Sequence, residues 1–327
     1  MKRRHILQST AAALAASALG PGLARADNWP ARPIKIIVPF GPGGEADVTA
    51  RIVAKKLGEQ LHQSVIIENR PGAGGVVAGE LVARAAPDGY TLLLMSNGTA
   101  VSEGLFKHLP FDPQKDFAPI STLGFFDLVI VVPENSRFKT LADLLAYARA
   151  NPDELNLGTI NIGSTQNLAA QLFKTTAGIH MQIVPFNGNG AVLTGLRSGQ
   201  IDAAVAGLSS MMSQIRAGAV RALAVMGEKR SPDLPQVPTV RESGGALTRF
   251  NVASWNALAA PAKTPPAVLQ RLNHEVVVAL QAPDVARSLT QINVQPRPGT
   301  PAQLADLLGS EIRRWGAVIK SAGIPLQ

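Results

Sequence analysis

The chain contains no cysteine. Disulfides, thiolate nucleophiles and thiolate metal ligands are excluded together, and so is a lipid-anchored lipoprotein, which needs a cysteine after its N-terminal apolar run. Aromatic residues are scarce at 5%, and the basic residues are scattered along helical stretches without aromatic neighbours. Single-stranded nucleic acid binding wants stacking platforms that this pattern does not supply, so no nucleic acid partner is expected. His62, His108, His180 and His274 stand isolated, with no second ligand at metal spacing. No metal and no cofactor are expected. Gly207-Leu208-Ser209 is not a G-x-S-x-G elbow, and no Ser–His–Asp set follows from the order of residues. The chain does not read as an enzyme. Beyond the first 26 residues no apolar run approaches the ~20 residues that cross a bilayer.

What is present is a large apolar fraction. Of 327 residues 46% are hydrophobic and 17% charged, with 30 glycines and 24 prolines, which can bury a sizeable core and is not the composition of a disordered chain. At ~100–200 residues per domain, two domains are expected. The formal charge of +8 would suggest an acidic partner, but part of it lies at the N-terminus. Lys2, Arg3 and Arg4 precede an alanine-rich apolar run from Ile6 to Leu19, followed by Gly20-Pro21-Gly22 and Ala24-Arg25-Ala26. This is the order of a secretory signal peptide over residues 1–26, cleaved after Ala26. The paired Arg3-Arg4 fits the twin-arginine route as well as the general secretory one. Cleavage would remove four of the 31 basic residues and none of the 23 acidic ones, lowering the net charge from +8 to +4. The mature protein is expected to be soluble, in the periplasm.

From Ile34 onward short β-branched or leucine-rich runs alternate with helical periods. Strands are expected over Ile34–Pro39, Ser64–Glu68 and Thr91–Met95, with helices over Asp47–Leu61 and Gly75–Ala85 between them. Ala118–Leu123 and Leu128–Val132 read as two strands flanking Gly124-Phe125-Phe126. A second alternating series runs from Leu141 to Val225, and Phe250–Ala259 reads as a further strand before three C-terminal helices, Pro266–Leu280, Pro283–Thr290 and Pro301–Ala322. The pattern predicts an α/β protein of two units, each a mainly parallel sheet flanked by helices. The C-terminal helices would cover the first unit, which makes domain 1 discontinuous, residues 27–125 plus 252–327, with domain 2, residues 126–251, inserted. Two crossings near Gly124–Phe126 and Asn251–Trp255 would act as a hinge, with a ligand cleft between the sheets.

Four glycine-rich turns stand at strand-to-helix junctions, two in each unit: "PFGPGGEAD" at Pro39–Asp47, "NRPGAGG" at Asn69–Gly75, "NIGSTQN" at Asn161–Asn167 and "FNGNG" at Phe186–Gly190. Unpaired N–H groups and the helix dipole make such junctions anion sites. The first turn is neither a phosphate loop, lacking the Lys-Ser/Thr pair, nor G-x-G-x-x-G. Asp47 reads as an N-cap and also as a polar ligand contact, and the two roles can coexist.

Trp29-Pro30-x-Arg32-Pro33-Ile34, Val38-Pro39-Phe40-x-Pro42-Gly43-Gly44-x-x-Asp47, Glu68-Asn69-Arg70-Pro71-Gly72-Ala73-Gly74-Gly75 and Pro87-Asp88-Gly89-Tyr90-Thr91-Leu92-Leu93 stand in this order. Together they resemble the Bug family, periplasmic receptors of the tripartite tricarboxylate transporter type. Leu109-Pro110-Phe111-Asp112-Pro113-x-Lys115-Asp116-Phe117 and Arg230-Ser231-Pro232-x-Leu234-Pro235-x-Val237-Pro238-Thr239-Val240 extend the resemblance over essentially the whole mature chain. The resemblance implies a type II periplasmic binding-protein fold that closes around a small organic acid or amino-acid-like carboxylate. It implies that one carboxylate is held by first-domain loops through backbone groups and two bridging waters, while second-domain loops read the rest of the ligand. Carried over, the first set is Phe40, Gly41, Pro42, Gly43, Gly44 and Asp47 with Gly72, Ala73 and Gly74; Ser96, Asn97 and Thr99 would line the same cleft. The second set is Gly163, Ser164, Thr165 and Asn167 with Phe186, Asn187 and Gly188.

Two departures bear on the ligand. The family often has His where Asn167 stands and Tyr-Lys where Phe186-Asn187 stand, so a hydroxyl and a cation are lost on the specificity side. The expected ligand has one carboxylate and an uncharged or aromatic remainder. A monomeric solute receptor that delivers its ligand to membrane permease subunits is the expected function; a binding protein that signals to a membrane sensor kinase is the alternative, and an esterase or amidase a third class.

Overall fold

A computed structural model describes residues 29–321 and 323–327 of the chain. The signal peptide expected over residues 1–26 lies outside the described residues. The strands are β1 Ile34–Val38, β2 Val65–Asn69, β3 Thr91–Ser96, β4 Phe117–Pro133, β5 Asn156–Ile160, β6 Gln182–Phe186, β7 Ala203–Gly207, β8 Val220–Val225, β9 Ala253–Pro261 and β10 Val294–Pro296. The helices are α1 Glu45–Leu61, α2 Val76–Ala83, α3 Asn97–Leu105, α4 Leu141–Ala150, α5 Thr165–Ala177, α6 Asn189–Ser198, α7 Leu208–Arg216, α8 Pro266–Gln281, α9 Pro283–Gln291 and α10 Pro301–Ser321.

Two sheets share one strand. The first runs β2-β1-β3-β9-β4-β10 and the second β6-β5-β7-β4-β8. Three strands in each are parallel, β2-β1-β3 and β6-β5-β7, as the alternating pattern predicts; β4, β8, β9 and β10 add antiparallel edges, so both sheets are mixed. Strands β1 and β7 carry the near-continuous apolar runs that burial on both faces requires: only Lys35 of β1 is exposed, and all of β7, Ala-Ala-Val-Ala-Gly, is buried.

The two short strands expected over Ala118–Leu123 and Leu128–Val132 are one strand of 17 residues. Gly124 is not a break. It pairs with Asn256 of β9 on one side and Pro296 of β10 on the other, and a Cβ there would lie 2.7 Å from the Gln295 carbonyl oxygen. Glycine answers the close approach of β10, a strand that arrives from 170 residues further along. The partners of β4 change between Asp127, paired with Ala253, and Leu128, paired with Gly207. The strand over Phe250–Ala259 begins later, at Ala253, and the helix read as Gly75–Ala85 is α2, entered through a tight turn at Ala73–Gly75. The helix read to Ala322 is described to Ser321, and Ala322 lies outside the described residues.

Helix α3 has no counterpart in the sequence reading. Ser96 makes the start: its hydroxyl accepts from Gly98 N–H while the Thr99 hydroxyl accepts from Ser96 N–H, a reciprocal cap. The C-terminal helices pack on the first sheet. Asn273 of α8 donates to the Ile120 carbonyl of β4 at 2.8 Å, and Gln60 of α1 donates to the Glu275 carboxylate of α8 at 2.9 Å. Trp315 of α10 and Trp255 of β9 are fully buried, and the Trp315 indole donates to Glu311 at 2.8 Å.

Candidate functional site

The C-terminal ends of β1, β3, β5 and β6 lead into α1, α3, α5 and α6 and face a common cleft of about 820 Å³. This is where open α/β sheets place ligands.

The loop between β1 and α1 is held from behind. Asn69, the last residue of β2, donates its amide to the Phe40 carbonyl and to Asp47 Oδ1, both at 2.9 Å. Asp47 Oδ2 accepts from Gly43 N–H and from Arg51 Nε, both at 2.9 Å. Burial alone would push the Asp47 carboxyl up, but the Arg51, Gly43 and Asn69 donors outweigh it and hold the group below the ordinary carboxylate range. Asp47 is therefore an ionised clamp that fixes the shape of the loop, and it presents Phe40 to Gly44 on the cleft wall.

In the second unit Ser164 fixes the turn. Its hydroxyl donates to the Ile160 carbonyl at 3.0 Å and accepts from Asn167 N–H at 3.1 Å, capping α5. Asn161 N–H donates to the Phe186 carbonyl at 3.0 Å, tying this turn to the one that starts α6. Helices α1 and α6 begin at Gly44 and Gly188, and neither has a side-chain cap. With α5, three helix N-termini converge on the cleft, from both units. Aligned N–H groups and dipoles of this kind favour an anion.

The cleft wall carries one charged side chain among the described residues, Glu45, and no lysine, arginine or histidine. Its polar groups are neutral: Ser96, Asn161, Thr165, Gln166, Asn187, Asn189, Ser254 and Asn256. Phe126, Ile160, Ile162, Pro185 and Phe186 supply apolar wall. The two units touch around it. Gly74 N–H donates to the Ile162 carbonyl at 3.3 Å, and Gly163, at φ +80°, lies so close to Gly74, at φ +58°, that a Cβ on Gly163 would sit 3.1 Å from the Gly74 Cα. Thr165 and Ser254 share a hydrogen bond of 3.0 Å between their hydroxyls; Ser254 directs its own hydrogen to Asn97 Oδ1, which leaves Thr165 as the donor.

Of the residues singled out from sequence, Phe40, Gly41, Pro42, Gly43, Gly44, Gly72, Ser96, Thr165, Phe186, Asn187 and Gly188 line the cleft. Others stand behind the wall, each for a physical reason. Asp47 is turned to the loop's backbone. Asn97 is fully buried, accepting from Trp255 N–H at 2.9 Å and donating to Glu311 at 2.8 Å. Thr99 caps α3 and Ser164 caps α5. Gly74 and Gly163 make the contact between units, with Ala73 in the turn that leads into it. Asn167 is buried and donates to the Thr159 hydroxyl at 3.1 Å, whereas Phe186 and Asn187 line the cleft. The residues that sequence reasoning missed include Glu45 and Gln166, which lie inside the quoted turns, and Phe126, Ser254 and Asn256, which come from β4 and β9. For the last three no local signal exists, since the long-range pairing of β4 with β9 brings them to the cleft.

A family model described as "Tripartite tricarboxylate transporter family receptor" matches residues 49–324. The chain belongs to this family: it is a solute receptor with a two-domain periplasmic binding-protein fold, not an enzyme. Protein BugT of Bordetella pertussis is 35% identical over 304 residues, covering 92% of this chain and 93% of BugT. Among solved structures, an R. palustris protein with adipate is 34% identical at a TM-score of 0.86, covering 91% of this chain and 99% of that one. The structure of periplasmic binding protein BugD is 29% identical at a TM-score of 0.85, covering 91% of this chain and all of the other.

Proposed function

We propose that this receptor binds a small ligand with one carboxylate and an uncharged, apolar or aromatic remainder, and delivers it to the permease subunits of a tripartite tricarboxylate-type transporter. The observation that carries the reading is the convergence of three helix N-termini on a cleft whose wall bears no basic side chain. Backbone N–H groups at Gly41, Gly44, Gly72 and Gly188 hold the carboxylate, with water completing the shell. Phe186 and Asn187 meet the remainder, and a second carboxylate finds no cation there. Residues 27–125 with 252–327 form one lobe and residues 126–251 the other. They hinge where β4 changes partners and where the chain returns at Val252–Ala253. The protein is exported through its first 26 residues, cleaved after Ala26, and works in the periplasm as a monomer.

A neighbour solved with adipate supports carboxylate binding in this fold; the lack of a basic side chain on this chain's cleft wall favours a monocarboxylate instead. Thermal unfolding against mono-, di- and tricarboxylates, amino acids and aromatic acids tests it. A ligand at a hundred times its dissociation constant adds about 2.7 kcal/mol of stability, a shift of several degrees. Monocarboxylates are expected to give the largest shifts. Citrate or adipate outranking every monocarboxylate would overturn the specificity claim.

A further inference from the structure

Glu45 occupies an unassigned position inside the first glycine motif, between Gly44 and Asp47. It is only 6% exposed, although it opens α1 beside the cleft. Its carboxylate does not turn back on its own loop. Glu45 Oε1 accepts from the backbone N–H of Ser210 at 3.1 Å, and Oε2 accepts from the side-chain amide of Asn189 at 3.5 Å. Both partners belong to the other side of the cleft, Ser210 to the first turn of α7 and Asn189 to the first residue of α6. The residue at the N-cap of helix α7 is Gly207, which has no side chain to cap the helix, and the Ser210 hydroxyl donates to the Gly207 carbonyl.

Gly207 carries an independent record of the contact. Its φ of −66° and ψ of 135° suit any residue, so its backbone does not ask for glycine. Space does: a Cβ on Gly207 would lie 1.8 Å from Glu45 Oε1. The missing side chain on one side of the cleft makes room for the carboxylate from the other.

We propose that Glu45 is a closure latch, a carboxylate from the first lobe that caps helix α7 of the second only when the lobes are together. The inference rests on the two-lobe receptor reading above. In the closed state the N-terminal dipole of α7 offsets the Glu45 charge, so the one acidic side chain on the wall does not oppose an anionic ligand. Opening withdraws the carboxylate and leaves the α7 N–H groups to water.

The absence of cysteine allows site-specific spin labels at two exposed positions, Lys55→Cys on α1 and Gln200→Cys beyond α6, and double electron–electron resonance then reports the distance between lobes. Glu45→Ala and Gly207→Ala are each expected to lower the ratio of closed to open protein by about tenfold, the size of a hydrogen bond to a charged group. Combined, they should lower it no further than the stronger of the two, because each removes the same contact. Glu45→Gln should fall between wild type and Glu45→Ala, and melting curves on each variant check that it is folded. Two populations whose ratio ignores Glu45, or effects of Glu45→Ala and Gly207→Ala that multiply, would overturn the latch and leave the receptor reading standing. A single inter-label distance that no carboxylate of the panel shifts would overturn lobe closure itself, and the latch with it.

Discussion

Asp47 spends a buried charge on the backbone of its own loop. Because its folded pKa is depressed, its contribution to stability is complete above the unfolded value near ~3.9 and is lost as pH falls through the folded value. Asp47→Ala is expected to cost about 2 kcal/mol at neutral pH, as hydrogen bonds to an ionised group do, and the deficit should shrink below about pH 4. Urea unfolding at pH 7 and pH 3 measures both. Asp127, at the point where β4 changes sheets, has the opposite sign. Burial raises its carboxyl pKa, so its ionisation penalty grows as pH rises from the unfolded value through the folded one. Asp127→Asn should raise the melting temperature at pH 7 and leave it unchanged at pH 3; a lower melting temperature at pH 7 would contradict this. At this scale the sequence was partly legible. The glycine motif placed Asp47 beside the loop, but could not tell a clamp from a ligand contact, because Asn69, the donor that ties Asp47 and the Phe40 carbonyl together, comes from β2. Glu45 was silent for a similar reason, its partners being 144 and 165 residues away.

Helices and parallel strands followed from periodicity where one element decides its own fate, as in β1, α1, β5 and α5. Long-range pairing defeated the same reading at β4. Gly124-Phe125-Phe126 looks like a turn only while β9 and β10 are out of view. Gly124→Ala tests the explanation: its Cβ would press on Gln295 O and Val294 Cγ1, each at 2.7 Å, and overpacking of this kind costs about 1–3 kcal/mol. Thermal unfolding should show the loss, whereas a glycine that served only as a turn between two strands would tolerate the methyl. Helix α3 was missed because a Ser96–Thr99 cap, not an apolar stripe, sets its start, and its Asn97 is bound into the Trp255–Glu311 network. Those contacts come from the last third of the chain.

For the molecule as a whole, alternation of strands and helices announced two α/β units, and the four glycine turns announced where their cleft would be. Part of that cleft's lining could not be read, since Phe126, Ser254 and Asn256 arrive on β4, the strand the two sheets share, and on β9, which pairs with it. On the proposed function, helix N-termini and loop N–H groups hold a carboxylate in a cleft without a basic side chain. Titration calorimetry of monocarboxylates against their own primary amides tests it most directly, because acid and amide share shape and differ in charge. Each bound acid is expected to outrank its amide by at least about a hundredfold, more than one ordinary hydrogen bond supplies. Equal affinity of acid and amide would contradict it.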